Sequence, residues 1–244
     1  MRFASGLQFH FRLVPFIATI LVMALGIALG QWQLQRADAK RTIAVKLTQR
    51  ASEPLIDIEK VAATMEALEY KKVRLTGEFL RHWPLYLDNR PHLGRAGFYV
   101  MMPFQAVGSG RVILIQRGWV PRNAQDRTRL PALFTPSGII VVEGQVRRAP
   151  GNVMQIGPPV LPRPGAILQN LDLAELSQAS GLAMQPYMVQ QTSVTEDGLS
   201  REWPLPSNGI DRHLGYAFQW YALTFMAGIF FVVTGFKRAK SSVE

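Results

Sequence analysis

His213 opens a stretch of 23 residues, 214–236, that carries no charge, and Tyr216, Gln219, Trp220 and Tyr221 follow it closely. A neutral imidazole at the edge of an apolar stretch has the donor atom of an axial ligand for a planar apolar cofactor such as haem. If the stretch is helical, 100° per residue puts His213, Ala217, Trp220 and Thr224 on one face and turns Gln219 elsewhere. His213, as iron ligand, with Trp220 or Tyr216 stacking beside it, is therefore one reading of this segment. The other makes His213, Tyr216, Trp220 and Tyr221 an aromatic belt that anchors a helix at the headgroup level. Residue chemistry leaves both open.

A second concentration of chemistry is arginine. Arg111, Arg117, Arg122, Arg127 and Arg129 crowd one segment, either as a solvated face or as an anion-binding surface for headgroups or carboxylates. Within it RGWVP places Gly118 and Trp119 after Arg117. Gly118 suits a bulge or a close backbone approach, and Trp119 suits the core beneath it. The binding alternative makes Arg117, Gly118, Trp119 and Arg122 a surface for a partner or an anion.

Other chemistries lack their residues. There is no cysteine, hence no disulfide, thiolate metal site or thiol nucleophile. No G-x-S-x-G, P-loop, H-E-x-x-H or G-x-G-x-x-G occurs. His82 and His92 stand without carboxylates at ligand spacing, Met101 and Met102 face opposite ways in a strand, and Glu78, Asp88 and Asp126 are too scattered to name an acid/base pair. The residues point away from an enzyme.

The elements that must position these residues begin with two spans. Residues 13–35, like 214–236, carry no charge, and 23 residues at 1.5 Å each span roughly 34 Å, enough for a hydrocarbon core of about 30 Å. The chain is thus expected to have an N-tail (1–12), a transmembrane helix (13–35), a polar domain (36–212), a second transmembrane helix (213–236) and a C-tail (237–244). A cleaved signal peptide is the alternative for the first span, but its apolar run exceeds the usual h-region. Gly26 and Gly30 form a small-xxx-small ridge for packing against Ala217, Ala222, Ala227 and Gly228 of the second span. Arg2 and Arg12 before the first span, and Lys237, Arg238 and Lys240 after the second, put both termini in the cytoplasm and the domain in the periplasm. Of the net charge of +10, each tail carries +2, leaving +6 on 36–212. A basic domain beside a bilayer attracts anionic headgroups or acidic partners, and in this compartment nucleic acid is not an expected ligand.

Within the domain, DIEKVAATMEALEY places Ile58, Val61, Ala62, Met65 and Leu68 at helical spacing and predicts an amphipathic helix. From Lys71 the period switches to two. Strands are expected at 71–79, in LYL, around 98–104, in VILI up to Pro121, in GIIVVEGQVRR and in YMVQQTSV, with a turn at Asp88, Asn89, Pro91 and Gly94. Asp172 and Glu175 open a short helix that Gly181 ends. Between the last two strands lies PGNVMQIGPPVLPRPG, a loop rich in proline, glycine and apolar residues. The fold class expected is a membrane protein: two transmembrane α-helices flanking an α+β domain whose largely antiparallel sheet curls toward a barrel.

In order along the chain, GQWQLQR with Lys40, GEFL (77–80), YLDNR (86–90), GFYVMMPF (97–104), RGWVPR (117–122), EGQV, REWP and HLGYAFQWYA resemble the Surfeit locus protein 1 family of cytochrome c oxidase assembly factors. The resemblance covers nearly the whole chain. It implies a non-catalytic factor that helps deliver haem a to, or insert it into, subunit I of an aa3-type oxidase, alongside other assembly factors or haem a synthase. It implies that the histidine opening the second span, here His213, is the favoured ligand for transiently held haem a, with the helix pair forming an apolar cleft and Arg212 or the arginines of RGWVPR meeting the propionates. Arg212 itself departs from the small polar residue expected before that histidine. Because the chain is short and no separate transit peptide precedes the first span, a bacterial inner membrane is the expected location. Three rivals remain: a scaffold that binds oxidase subunits without touching haem; a periplasmic sensor, for which the tail 237–244 leaves no room for an output domain, so that signalling would require a partner protein; and a small membrane enzyme acting on quinone or lipid, against which the lack of a recognisable nucleophile, metal cluster or acid/base pair counts.

Overall fold

A computed structural model of the chain describes residues 7–61, 64–204 and 209–238. Ala62, Arg2 and Lys240, used in the expectations above, lie outside them. In chain order the elements are β1 (Leu7–Phe9), α1 (Leu13–Ser52), β2 (Ile56–Asp57), a 3-10 turn (Ile58–Lys60), α2 (Met65–Leu68), β3 (Lys72–Phe79), β4 (Leu85–Leu87), β5 (Gly97–Ala106), β6 (Val112–Pro121), β7 (Ile140–Arg147), β8 (Ile167–Leu168), α3 (Leu173–Ser180), β9 (Met184–Gln191), α4 (Ile210–Gly235) and β10 (Phe236–Arg238). They fall into two compact units, one comprising the residues up to Val45 and from Pro204 on, the other Lys46–Trp203.

In the larger unit the strands follow the order β2-β3-β7-β9-β6-β5-β4-β8, and β3 pairs a second time, with β5. That extra pairing closes β3, β7, β9, β6 and β5 into a five-stranded barrel, antiparallel except where β6 meets β9. Numbered along the barrel, the cyclic order is 1-2-3-5-4, the connectivity of an OB-type Greek-key barrel. Closure turns on Gly77, which is paired with Ile140 of β7 on one side and Ala106 of β5 on the other. A Cβ there would collide with the Gln105 carbonyl, so only glycine lets the two strands approach.

Strand β3 alternates, burying Val73, Leu75 and Phe79 while Lys72, Arg74, Thr76 and Glu78 face out. They fill the interior with Met102, Phe104, Ile113, Ile115, Val142, Val146 and Val189. Strands β5 and β6 are covered on both faces, because Met101 and Leu114 pack outward with Leu85, Leu87, Leu168, Leu176 and Met188. Burial on both sides is why these strands read as continuous apolar runs. Asp172 caps α3 by accepting from the Ala174 and Glu175 amides at 2.7 and 3.0 Å, and Gly181, at φ +70°, ends it.

Two expectations need correction. The helix read from DIEKVAATMEALEY is a 3-10 turn and a single α turn, with Val61 extended between them. Asp57 caps the start of the 3-10 turn by accepting the Glu59 amide, Val61 at its other end is extended, and Ile58 and Leu68 still reach the core. The first helix does not stop near Arg36 but runs to Ser52, since Ala, Lys, Arg, Gln and Leu are all strong helix formers.

In the smaller unit α1 and α4 are both long and apolar enough to cross a membrane. Their apolar side chains point outward: Leu21, Leu25, Phe218, Phe225 and Phe230 are mostly exposed. Helices that bury so little of themselves suit hydrocarbon as solvent better than a protein core. Strands β1 and β10 pair antiparallel, and Phe9 lies against Gly235 with its ring edge-on to Phe231 and Phe236.

Candidate functional site

The stripe on α4 begins at His213, in the first helical turn, and faces α1. Ala217 and Thr224, further along it, are buried at 2% and 8% exposure. The two helices run antiparallel in direct contact: Gly26 against Thr224, Gly30 against the Tyr221 ring, and Met23 against Gly228. A Cβ on Gly30 would stand 2.7 Å from that ring, so the glycines set how closely the helices approach. Thr224 returns its hydroxyl to the Trp220 carbonyl at 2.9 Å, so this polar side chain is paired within the contact.

At the open end of this pair His213 Nδ1 lies 2.7 Å from Gln33 Oε1. An amide oxygen only accepts, so Nδ1 is the donor in this contact, and in a neutral ring the lone pair then belongs to Nε2. Nε2 has no hydrogen-bond partner among the described residues. Tyr221 donates to Gln31 Oε1 at 3.3 Å, a second polar tie between the helices. Arg36 lies over the Trp32 ring at 5.6 Å, and Arg212 is exposed at the same end of the pair. Trp220 is half-buried, Tyr216 is 47% exposed, and no ring contact joins either to His213 among the described residues.

The expected cleft between the helices is absent at the level of Gly26 and Gly30, because the glycines bring the two backbones together. A planar group held by His213 would have to lie on the flank of the pair. An apolar groove of about 380 Å³ lined by Met23, Phe225, Gly228, Ile229, Val232 and Val233 begins twelve residues beyond His213, roughly 18 Å along the helix, and is separate from it.

Arg117, Gly118 and Trp119 are buried and Arg122 is half-buried, so the close backbone approach read for Gly118 and the core position read for Trp119 hold, and the reading of Arg117, Gly118, Trp119 and Arg122 as a surface is corrected. Between Gln116, opposite Met101, and Gly118, opposite Val100, the ladder skips Arg117. This bulge sits in an interior wall, and Arg117 is wholly buried. Its guanidinium donates to Thr135 Oγ1 at 2.7 Å, the Phe134 carbonyl at 2.9 Å and Asp197 Oδ2 at 3.0 Å, and lies 4.6 Å from the Phe79 ring centroid. Arg201 shares Asp197 Oδ2 at 2.6 Å. Burial pushes the Arg117 guanidinium below its ordinary pKa, and Asp197 pushes it back up. Gly118 lies under the chain at Leu199, and Trp119 donates its ring N–H to the Arg90 carbonyl at 2.7 Å while its backbone exchanges hydrogen bonds with Ser200. Arg122, half-buried, is 3.5 Å from Asp88. The segment is therefore a fastening: it ties residues 197–201, which lead out of the barrel, to the barrel wall.

Residue types alone missed Gln33 and Asp197. A signal for the first was present in GQWQLQR, where three glutamines interrupt an apolar helix and polar groups at membrane depth need partners. Asp197 had none, since nothing local links it to Arg117, 80 residues earlier.

The family model described as the SURF1 family matches residues 20–225. A SURF1-like protein of Rickettsia bellii is 26% identical over 232 residues, covering 93% of this chain and 92% of its own. A SURF1-like protein of Caenorhabditis briggsae is 25% identical over 233 residues, covering 86% of this chain and 71% of its own. The cytochrome oxidase assembly protein SHY1 of Saccharomyces cerevisiae is 34% identical over 112 residues, which are 44% of this chain and 29% of that protein.

Proposed function

Because the chain belongs to the SURF1 family, we propose that it is an assembly factor for an aa3-type cytochrome c oxidase in a bacterial inner membrane. It assists delivery of haem a to, or its insertion into, oxidase subunit I, together with other assembly factors or haem a synthase, and is not itself an enzyme. The name of the yeast relative supports the oxidase part, and two apolar helices support the membrane part.

The observation that carries the haem part is the contact between His213 Nδ1 and Gln33 Oε1 at 2.7 Å. Metal-bound histidines generally give their second ring N–H to an acceptor that fixes tautomer and ring plane. His213 has that acceptor, with Nε2 available as the donor to iron. Haem a, when bound, supplies an iron that takes a nitrogen ligand and carboxylates that take charge-assisted hydrogen bonds. Trp220 and Tyr216 offer flat apolar surface on the same helix, and Arg36 and Arg212 offer guanidinium groups at the same end. Since α1 and α4 meet at Gly26 and Gly30, His213 presents the group on their flank, from which it can be passed on.

The scaffold reading, in which His213 and the aromatics only anchor the helix, draws support from the exposure of Tyr216 and its lack of contact with His213. The two separate on one preparation. The protein is purified from cells that make haem a, and absorption spectra of wild type, His213→Ala and Gln33→Leu are compared. A haem a Soret band in wild type, abolished or shifted in His213→Ala and weakened in Gln33→Leu, supports the ligand role. An unchanged spectrum in His213→Ala, with full oxidase maturation, removes His213 from the mechanism and leaves the scaffold.

A further inference from the structure

The loop between β7 and β8 is unlike an ordinary connection. Residues 151–162 carry no charge, and Met154, Ile156, Val160 and Leu161 are 80%, 70%, 50% and 73% exposed. Single apolar side chains on a surface are common, but four within eight residues form a patch that water solvates poorly.

The loop is also held in place. The Asn170 amide bonds both backbone groups of Val153, accepting at 2.8 Å and donating at 3.0 Å. Gln169 does the same for Ile156, at 2.6 and 2.9 Å. Arg90, itself buried, donates to the Gly151 and Gln169 carbonyls at 3.0 and 3.1 Å. These clamps fix the backbone while leaving the apolar side chains outward, so the entropy of ordering the loop is lost before any partner arrives.

The charges around the loop point to an anionic bilayer as its occupant. At the base of the loop Arg148 pairs with Glu66 at 3.4 Å and lies 3.8 Å from Glu69, which also takes Lys46 at 2.9 Å. The unit Lys46–Trp203 carries 18 basic against 14 acidic side chains, and exposed Arg148 and Arg163 flank the apolar stretch. Aliphatic side chains between arginines suit the boundary of acyl chains and phosphates, where the former are buried and the latter paired.

We propose that residues 151–162 insert into the interfacial layer of an anionic bilayer, with Met154, Ile156, Val160 and Leu161 in the acyl boundary and Arg148 and Arg163 at the phosphates. This docking is independent of haem and of His213.

Because the chain has no cysteine, single reporters can be placed without background labelling. Ile156→Cys, Leu161→Cys and, as a control at a 93% exposed position outside the loop, Val194→Cys are labelled with an environment-sensitive fluorophore in the full chain. Each is reconstituted in nanodiscs of phosphatidylcholine with or without phosphatidylglycerol. Blue-shifted emission and quenching by spin-labelled acyl chains at 156 and 161, absent at 194 and reduced by Arg163→Gln, is the expected result. Water-like emission at all three positions in both lipids overturns the proposal, and equal shifts in both lipids overturn the anionic requirement. If emission at 156 and 161 is water-like in lipid alone and shifts only when oxidase subunits share the disc, the loop docks protein and the lipid assignment fails.

Discussion

Replacing Asp197 with asparagine removes one negative charge from between two buried guanidinium groups while keeping size and shape. Asp197 is 7% exposed as a residue, and its side chain takes Arg117 at 3.0 Å, Arg201 at 2.6 Å and the Leu199 amide at 3.2 Å. Arg117 is fully buried and Arg201 nearly so, leaving little water to take over. Breaking a buried pair by removing one partner costs about 3–5 kcal/mol, because a desolvated charge is left uncompensated. At roughly 2–4 °C per kcal/mol for a domain of this size, melting should fall by about 6–20 °C. The assay is thermal unfolding of the full chain in detergent, followed by tryptophan fluorescence. As a comparison, Glu143→Gln, which breaks an exposed pair with Arg74, should change stability by less than about 1 kcal/mol. The desolvation argument makes a sharper demand. Replacing all three charges together, Arg117→Met, Asp197→Leu and Arg201→Met, should destabilise less than Asp197→Asn alone, since it leaves no buried charge unpaired. A single mutant that melts with wild type, or a triple mutant worse than the single, would refute the idea that burial gives this cluster its weight.

Three further outcomes follow from close contacts. Gly30→Ile should separate α1 from α4, seen as loss of disulfide formation between Met23→Cys and Gly228→Cys; the end of the Met23 side chain lies 3.7 Å from where a Cβ on Gly228 would stand. Gly118→Val should push Leu199 and the Ser200 carbonyl, 2.6 and 2.9 Å from a Cβ there, at a cost of about 1–3 kcal/mol, and should expose Arg201 to trypsin. Gln33→Leu should leave the unfolding free energy of the protein within about 1 kcal/mol of wild type, as expected for losing one half-buried hydrogen bond, yet lower haem a retention on purification.

Local rules made most of the sheet readable. The alternation of β3, the turn residues around Asn89 and Gly94, and the Asp172 cap each express a nearest-neighbour constraint, and each stands where its residues put it. That the sheet curls toward a barrel was readable, but the place where it closes was not, because closure depends on Gly77 meeting Ala106 across a distance no local pattern encodes. The segment from Ile58 to Leu68 shows the opposite failure. Ile58 and Leu68 do enter the core and Val61 and Met65 pack against it, so burial was correctly signalled, but a 3-10 turn, an extended Val61 and one α turn deliver them there as well as a helix would. Spacing reports which side chains face inward; it does not by itself say which backbone carries them.

The arginines make the same point about sites. Five of them in one segment suggested a charged surface, yet the fate of each depended on parity and partner. Arg127 and Arg129 sit in an exposed loop, whereas Arg117 falls on the inward parity of β6, two residues beyond Ile115, and must be neutralised there by a residue from the far end of the domain. For the helix pair the converse holds. His213 drew attention by its own chemistry, but what distinguishes a ligand from a belt residue is whether its second nitrogen is committed, and that is a property of Gln33. A ring with one nitrogen fixed by an amide and one left over can offer a single bond to iron. On the proposed function a single bond is what a carrier requires, since two protein ligands closing on the same iron would oppose its release to subunit I.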